Sequence, residues 1–206
     1  LPPIRLLDGK VKLIGTIDRI DEYGDYIRVV DYKTGSVDKE RVALFNGTKL
    51  QLYLYAKVLK DKKLAGAYYM PISNDFNGEN NIMFVGDSLL DDKVLSSQDQ
   101  DYKTQINKII PAKFVKKDGT IKNALTEEDF SAICEYAVKV AEQLALNMKE
   151  GFIPASPLKD NDYFNPCENC SYNGICEDHY TNDRKNDVVL DSTIIDAIKE
   201  VEKKND

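Results

Sequence analysis

The chain has 206 residues, a length that suits one domain or one domain with a small appendage. Its apolar fraction of 42% allows a buried core, and no run approaches the length of a membrane span. A formal net charge of −7 argues against a simple basic nucleic-acid binder, but not against a carboxylate-rich metal site, where a bound cation reverses the local field.

The start, Leu1-Pro2-Pro3-Ile4-Arg5, is not a signal peptide and has no initiator Met, so a piece of a longer cytoplasmic protein is expected. Ile4 to Leu7 reads as a strand, turned by Asp8-Gly9 into a second strand over residues 11–20. Tyr26 to Tyr32 reads as the next strand, ended by Thr34-Gly35-Ser36. From Leu50 to Leu59, the apolar residues Leu52, Tyr55, Ala56 and Leu59 recur at helical spacing. Leu64 to Met70 is a further strand, stopped by Pro71. A polar loop at 74–81 and a short strand at 82–85 follow. Residues 91–123 are polar, with a hairpin expected over 114–121 around Asp118-Gly119. Thr126-Glu127-Glu128-Asp129 looks like a capping box that opens a long helix to about Glu150. A cysteine-rich loop spans 165–178, and residues 181–206 form a charged tail with one amphipathic stretch, Ile194 to Val201. The order predicts an α/β fold, a mixed sheet covered by helices.

The chemistry concentrates in Gly15-Thr16-Ile17-Asp18-Arg19-Ile20-Asp21 and Val29-Val30-Asp31-Tyr32-Lys33-Thr34-Gly35. Side chains alternate along a strand, so Asp31 and Lys33 share a face. Asp18, expected near the end of the preceding strand, opposes Asp31 across the turn. Two carboxylates on adjacent strands make a hard oxygen site for Mg²⁺ or Mn²⁺. Lys33 beside them can orient a water or neutralise developing negative charge on a phosphate. Gln51 and Tyr55 fall on one face of the following helix. Arg19 and Asp21 point to the other strand face, where a surface salt bridge is the simplest reading.

Cys167, Cys170 and Cys176 have the spacing of a metal or cluster loop, Cys-x2-Cys-x5-Cys, and want a fourth ligand whether the target is Zn²⁺ or a [4Fe–4S] cluster. His179 is one option for zinc, although a lone exposed histidine is the commoner outcome. Cys134, within the long helix, reads as a buried and inert thiol.

Taken together, Gly-x-Ile-Asp-Arg-Ile-Asp, Val-Asp-Tyr-Lys-Thr-Gly and Gln-Leu-Tyr-Leu-Tyr resemble motifs of the RecB-family PD-(D/E)XK nucleases. The resemblance implies a restriction-endonuclease-like sheet flanked by helices. It assigns Asp18, Asp31 and the Tyr32 carbonyl to Mg²⁺, Lys33 to catalysis, and Gln51 and Tyr55 to substrate positioning. The cysteine spacing and its distance from Lys33 resemble the AddB-type (RexB-like) subunits of bacterial AddAB helicase–nucleases. These also match Ala65-Gly-Ala-Tyr-Tyr-Met-Pro-Ile, the Lys116-Lys-Asp-Gly hairpin and the Gly151-Phe-Ile-Pro154 helix end. That resemblance covers residues 1–180 as a nuclease domain lacking an upstream acidic motif and the fourth cluster cysteine. It implies a DNA exonuclease acting on single strands from processed duplex ends in recombinational break repair, paired with an AddA-type subunit. No Gly-x4-Gly-Lys-Ser/Thr motor signature occurs in the chain. Competing expectations are a non-catalytic DNA-binding scaffold that keeps the fold, a CRISPR-associated RecB-like nuclease, and a zinc-binding interaction module.

Overall fold

The computed structural model describes residues 2–34, 37, 41–59, 62–72, 84–104, 109–154, 156–159, 167, 170–176, 184–185 and 193–205. Strands β1 (Ile4–Leu6) and β2 (Val11–Leu13) form a small antiparallel hairpin through the expected Asp8-Gly9 turn. The expected single strand over 11–20 is broken. Its second half starts as β3 (Arg19–Tyr23) and joins a different sheet. The break leaves Ile14 78% exposed, so the apolar run is not a continuous core strand.

β3 pairs antiparallel with β4 (Tyr26–Lys33), and β4 ends at the lysine as expected. Two helices follow, α1 (Arg41–Phe45) and α2 (Gln51–Val58). The helical spacing predicts α2, whereas α1 is too short to leave a periodic signal. β5 (Lys63–Pro71) runs parallel to β4, and β6 (Val85–Leu89) returns antiparallel to β5. Of the short strand expected at 82–85, 82–83 lie outside the described residues, and the observed strand starts at Val85 and runs on through Gly86-Asp87-Ser88. Gly86 fits there because a Cβ would stand 2.2 Å from the Ala67 carbonyl oxygen. The loop expected at 74–81 also lies outside the described residues.

Within the polar stretch 91–123 lies a helix that the periodicity does not predict, α3 (Asp92–Gln98), capped by the Asp91 carboxylate at the amides of Lys93 and Val94. The hairpin β7 (Lys113–Val115) and β8 (Thr120–Lys122) forms where expected, and β9 (Ala124–Leu125) closes the main sheet. The sheet order is β3-β4-β5-β6-β9, a mixed sheet between two apolar layers. One face of the sheet, with Val29, Ala67, Tyr69 and Leu89, packs into the core under α2. The opposite face, with Val30, Tyr68 and Phe84, packs on Leu95, Tyr102 and Ile110.

Helix α4 (Glu127–Lys149) opens as the sequence predicts: Thr126 Oγ1 accepts from the Asp129 amide at 3.1 Å, and three acids in the first turn complement the helix dipole. β10 (Leu158–Lys159) and β11 (Arg184–Lys185) pair in parallel. Helix α5 (Ile194–Asn205) outruns the amphipathic stretch expected at 194–201. Its Ile194 and Ile198 are fully buried in the main core, so this part of the charged C-terminal segment is built into the fold. No helix among the described residues is long and apolar enough to cross a membrane.

Candidate active site

The ends of β4 and α2 and the start of β3 bring the expected residues together. Lys33 Nζ stands 2.5 Å from Asp31 Oδ2 and donates to Gln51 Oε1 at 3.3 Å. Gln51 Nε2 in turn donates to the Tyr55 hydroxyl at 2.8 Å. The four side chains thus form one polar chain across the sheet–helix junction, the arrangement their period-2 and i, i+4 spacings predict.

Asp18 needs a correction. It does not end a strand; it directly precedes β3, and the antiparallel partner pair Arg19–Val30 sets it opposite Asp31. Its Oδ2 accepts from the Tyr32 amide at 3.0 Å, which fixes the carboxylate beside β4. Tyr32, whose carbonyl is the third expected ligand, lies between Asp31 and Lys33 with its ring partly exposed.

The two acids differ in setting. Asp18 is exposed, while Asp31 is only 3% exposed. Asp31 Oδ2 accepts no hydrogen bond of good geometry, although the Lys33 ammonium is its ion-pair partner. A buried carboxylate oxygen without a hydrogen bond costs free energy unless a cation completes it. Together with Asp18 it is a hard-oxygen donor set that fits Mg²⁺ or Mn²⁺. Tyr69, under the Lys33 ammonium with its ring centroid 5.1 Å away, closes the floor. Burial, then the negative charge of Asp31, pushes its hydroxyl up to about 12, so the ring stays neutral.

Two features went unread in the sequence. A Cβ on Gly15 would lie 2.8 Å from Tyr55 Cε1, so the chain break before β3 gives Tyr55 its seat. Behind α2, Asp87 accepts from the Tyr53 hydroxyl at 2.6 Å and from Arg41, whose Nε is 3.1 Å away and whose Nη2 also bonds it. No local pattern in the sequence signals this buried network, since Gly86-Asp87-Ser88 is a small and polar stretch.

Arg19 and Asp21 lie on the opposite sheet face, as alternation requires. Asp21 takes Arg19 Nε and Arg28 Nε at 2.7 Å each. Burial alone would raise the Asp21 carboxyl, but hydrogen bonds from Arg19 and Arg28 outweigh it and hold it below the usual carboxylate range. Neither residue reaches the Asp18–Asp31 pair.

Cys134 is buried, and burial pushes its thiol up to about 12, which suits an inert core residue. None of the four cysteines is in a disulfide. The loop is wound by turns, with the Cys170 amide donating to the Cys167 carbonyl and the Cys176 amide to the Tyr172 carbonyl. Among the described residues, no three His, Cys, Asp or Glu side chains gather closely enough to hold a metal ion, so the three thiols do not share a centre here. His179 lies outside the described residues.

A five-stranded mixed sheet with Asp31 and Lys33 near the end of β4 and Asp18 just ahead of β3 goes with a family match: residues 3–177 match the PD-(D/E)XK nuclease superfamily, to which the chain belongs. The individual relatives are B subunits of bacterial ATP-dependent helicase/deoxyribonucleases. That of Clostridium novyi (strain NT) is 32% identical over 208 residues, 85% of this chain and 18% of the relative. That of Clostridium tetani is 31% identical over 231 residues, 92% of this chain and 20% of the relative. The Caldanaerobacter subterraneus subsp. tengcongensis protein is 31% identical over 219 residues, 90% and 18% respectively. The chain spans about a fifth of the length of these curated relatives.

Proposed function

We propose that this chain is the DNA-cleaving unit of a helicase–nuclease of that kind and hydrolyses phosphodiester bonds with a divalent cation. The observation that carries the reading is the buried carboxylate of Asp31, held 2.5 Å from Lys33 on β4, with Asp18 one residue ahead of the partner pair Arg19–Val30. Asp18, Asp31 and the Tyr32 carbonyl hold Mg²⁺ or Mn²⁺. Such an ion, when bound, neutralises charge on the phosphate and acidifies water. Lys33 orients the attacking water or neutralises the negative charge that grows on the phosphate, and Gln51 holds its ammonium in place. Gln51 and Tyr55 also line a cleft of about 230 Å³ beside the site, floored by Gly15 and Leu54, which suits them to positioning a substrate strand.

The deoxyribonuclease and helicase names of the relatives support a DNA substrate and a partner motor subunit of the AddA type. The substrate is then single strands from processed duplex ends, and the setting is cytoplasmic double-strand break repair by recombination. Cys167, Cys170 and Cys176 serve a [4Fe–4S] cluster in the full-length protein, with a fourth ligand from outside these residues. Binding requires the loop to close from the arrangement seen here.

Asp31→Ala in the full-length protein tests the nuclease reading. Cleavage with Mg²⁺ falls on the order of a hundredfold to a thousandfold, while duplex unwinding persists. Unchanged cleavage overturns the proposal and leaves a DNA-binding scaffold.

A further inference from the structure

Helix α2 carries Gln51, which meets Lys33, and Tyr55, which meets Gln51, yet little in its own sequence holds it. It has eight residues, its N-cap Leu50 offers no side-chain cap, and its first turn has no acid. Isolated helices this short are unstable in water, so its placement comes from tertiary contacts. Apolar contacts from Leu52, Leu54 and Ala56 press it on the core. They are non-directional and do not by themselves fix its rotation. Two directional contacts add to them: Lys57 Nζ donates to Glu135 on α4, and on the sheet side the buried hydroxyl of Tyr53 donates to Asp87 Oδ2 at 2.6 Å. Tyr53 is two residues from Gln51 and two from Tyr55, about 200° around the helix from each. One side of α2 therefore holds the sheet while the other reaches the site.

Asp87 is itself locked. It lies in β6, 1% exposed, and pairs with Arg41, 8% exposed. Arg41 opens α1, eight positions after Lys33 in the chain. The same carboxylate thus ties the segment that follows Lys33 to the helix that carries Gln51. An ion pair taken out of water is a poor source of stability compared with apolar packing, so its value is geometric. Burial and the Asp87 charge raise the Tyr53 hydroxyl well above its ordinary value, so it remains a donor throughout the working pH range.

We propose that Tyr53, Asp87 and Arg41 are positioning residues that set the rotation of α2 and thereby the meeting of Gln51 with Lys33. The proposal rests on the nuclease reading for its consequence in cleavage, but not for the tether itself.

Tyr53→Phe removes one hydroxyl and keeps the ring, so the fold is retained. Two measurements on the full-length protein decide the matter. In hydrogen exchange, amides 51–58 of the variant exchange roughly tenfold faster, the factor expected for one lost hydrogen bond, while α4 is unchanged. In Mg²⁺-dependent cleavage, kcat falls roughly tenfold or more with KM for DNA little changed. That loss vanishes in a Gln51→Ala background, because Tyr53 acts through Gln51. Unaltered exchange in α2, or a cleavage loss that adds in full to that of Gln51→Ala, overturns the positioning role. If the wild-type protein cuts no DNA, the nuclease reading fails, and the exchange arm still decides whether Tyr53 holds α2.

Discussion

Tyr55 and Gly15 show how tightly the site is built around single atoms. With 2.8 Å between an added Cβ and the Tyr55 ring, Gly15→Ala displaces the ring and pulls its hydroxyl from Gln51. Gly15 is exposed, so the expected result is a small change in Tm with roughly a tenfold fall in cleavage, measured by thermal unfolding beside single-turnover kinetics. The shared faces of Asp31 with Lys33 and of Gln51 with Tyr55 were legible in the sequence from period-2 and helical spacing, whereas Asp18 was reached through the motif resemblance and its place ahead of β3 was not foreseen. Gly15 and Tyr69 were not legible, since each acts through a contact between distant segments that no local pattern encodes. Asp87 was hidden for a related reason. Its strand, Val-Gly-Asp-Ser-Leu, carries no mark of a buried acid, and its partner Arg41 lies forty-six positions away.

At the level of elements, strong local signals carried over and weak ones did not. The Thr126 cap and the apolar stripe announced α4, and Pro71 marked the end of β5. The five-residue α1 and the polar α3 carried too little periodicity to be seen. The break between β2 and β3 was masked because Val11, Leu13, Ile14, Ile17 and Ile20 keep apolar residues coming on both sides of it. Helix α5 is the informative case: its amphipathic stripe was visible, but not the surface it covers. Ile198 is fully buried against the core that α4 and α1 share, and Lys199 bonds both Glu128 and Asp129 on α4. Ile198→Ala is expected to destabilise the protein by about 2–5 kcal/mol, read as a lower denaturation midpoint with an unchanged m-value.

Across the whole molecule, the charge of −7 and the acidic site leave little general attraction for a phosphate backbone. Under the proposed function, strong DNA binding would fall to segments outside these residues; the chain covers about a fifth of its relatives. The cysteine loop fits the same division of labour, because three thiolates need a ligand from elsewhere to complete a cluster. Full-length protein purified without oxygen is expected to be brown, with iron and sulfide at about four each per chain. Cys170→Ser is expected to bleach it. Colourless protein that contains zinc would assign the loop to a structural zinc site instead.

The turn between β3 and β4 has a consequence far from where it lies. Tyr23 pairs with Tyr26, leaving only Gly24 and Asp25 to reverse the chain at the end of the sheet opposite Lys33. That two-residue link is a phase setter for the pairing of Asp18 with Asp31. Each inserted or deleted residue there slides one strand past the other by a single step, and a single step exchanges the two faces of β3. Asp18 would then face the layer where Arg19 now lies, and Arg19 would face Asp31. A change in length at the remote turn can thus swap an acid for a base beside Asp31 while every catalytic residue stays in the sequence.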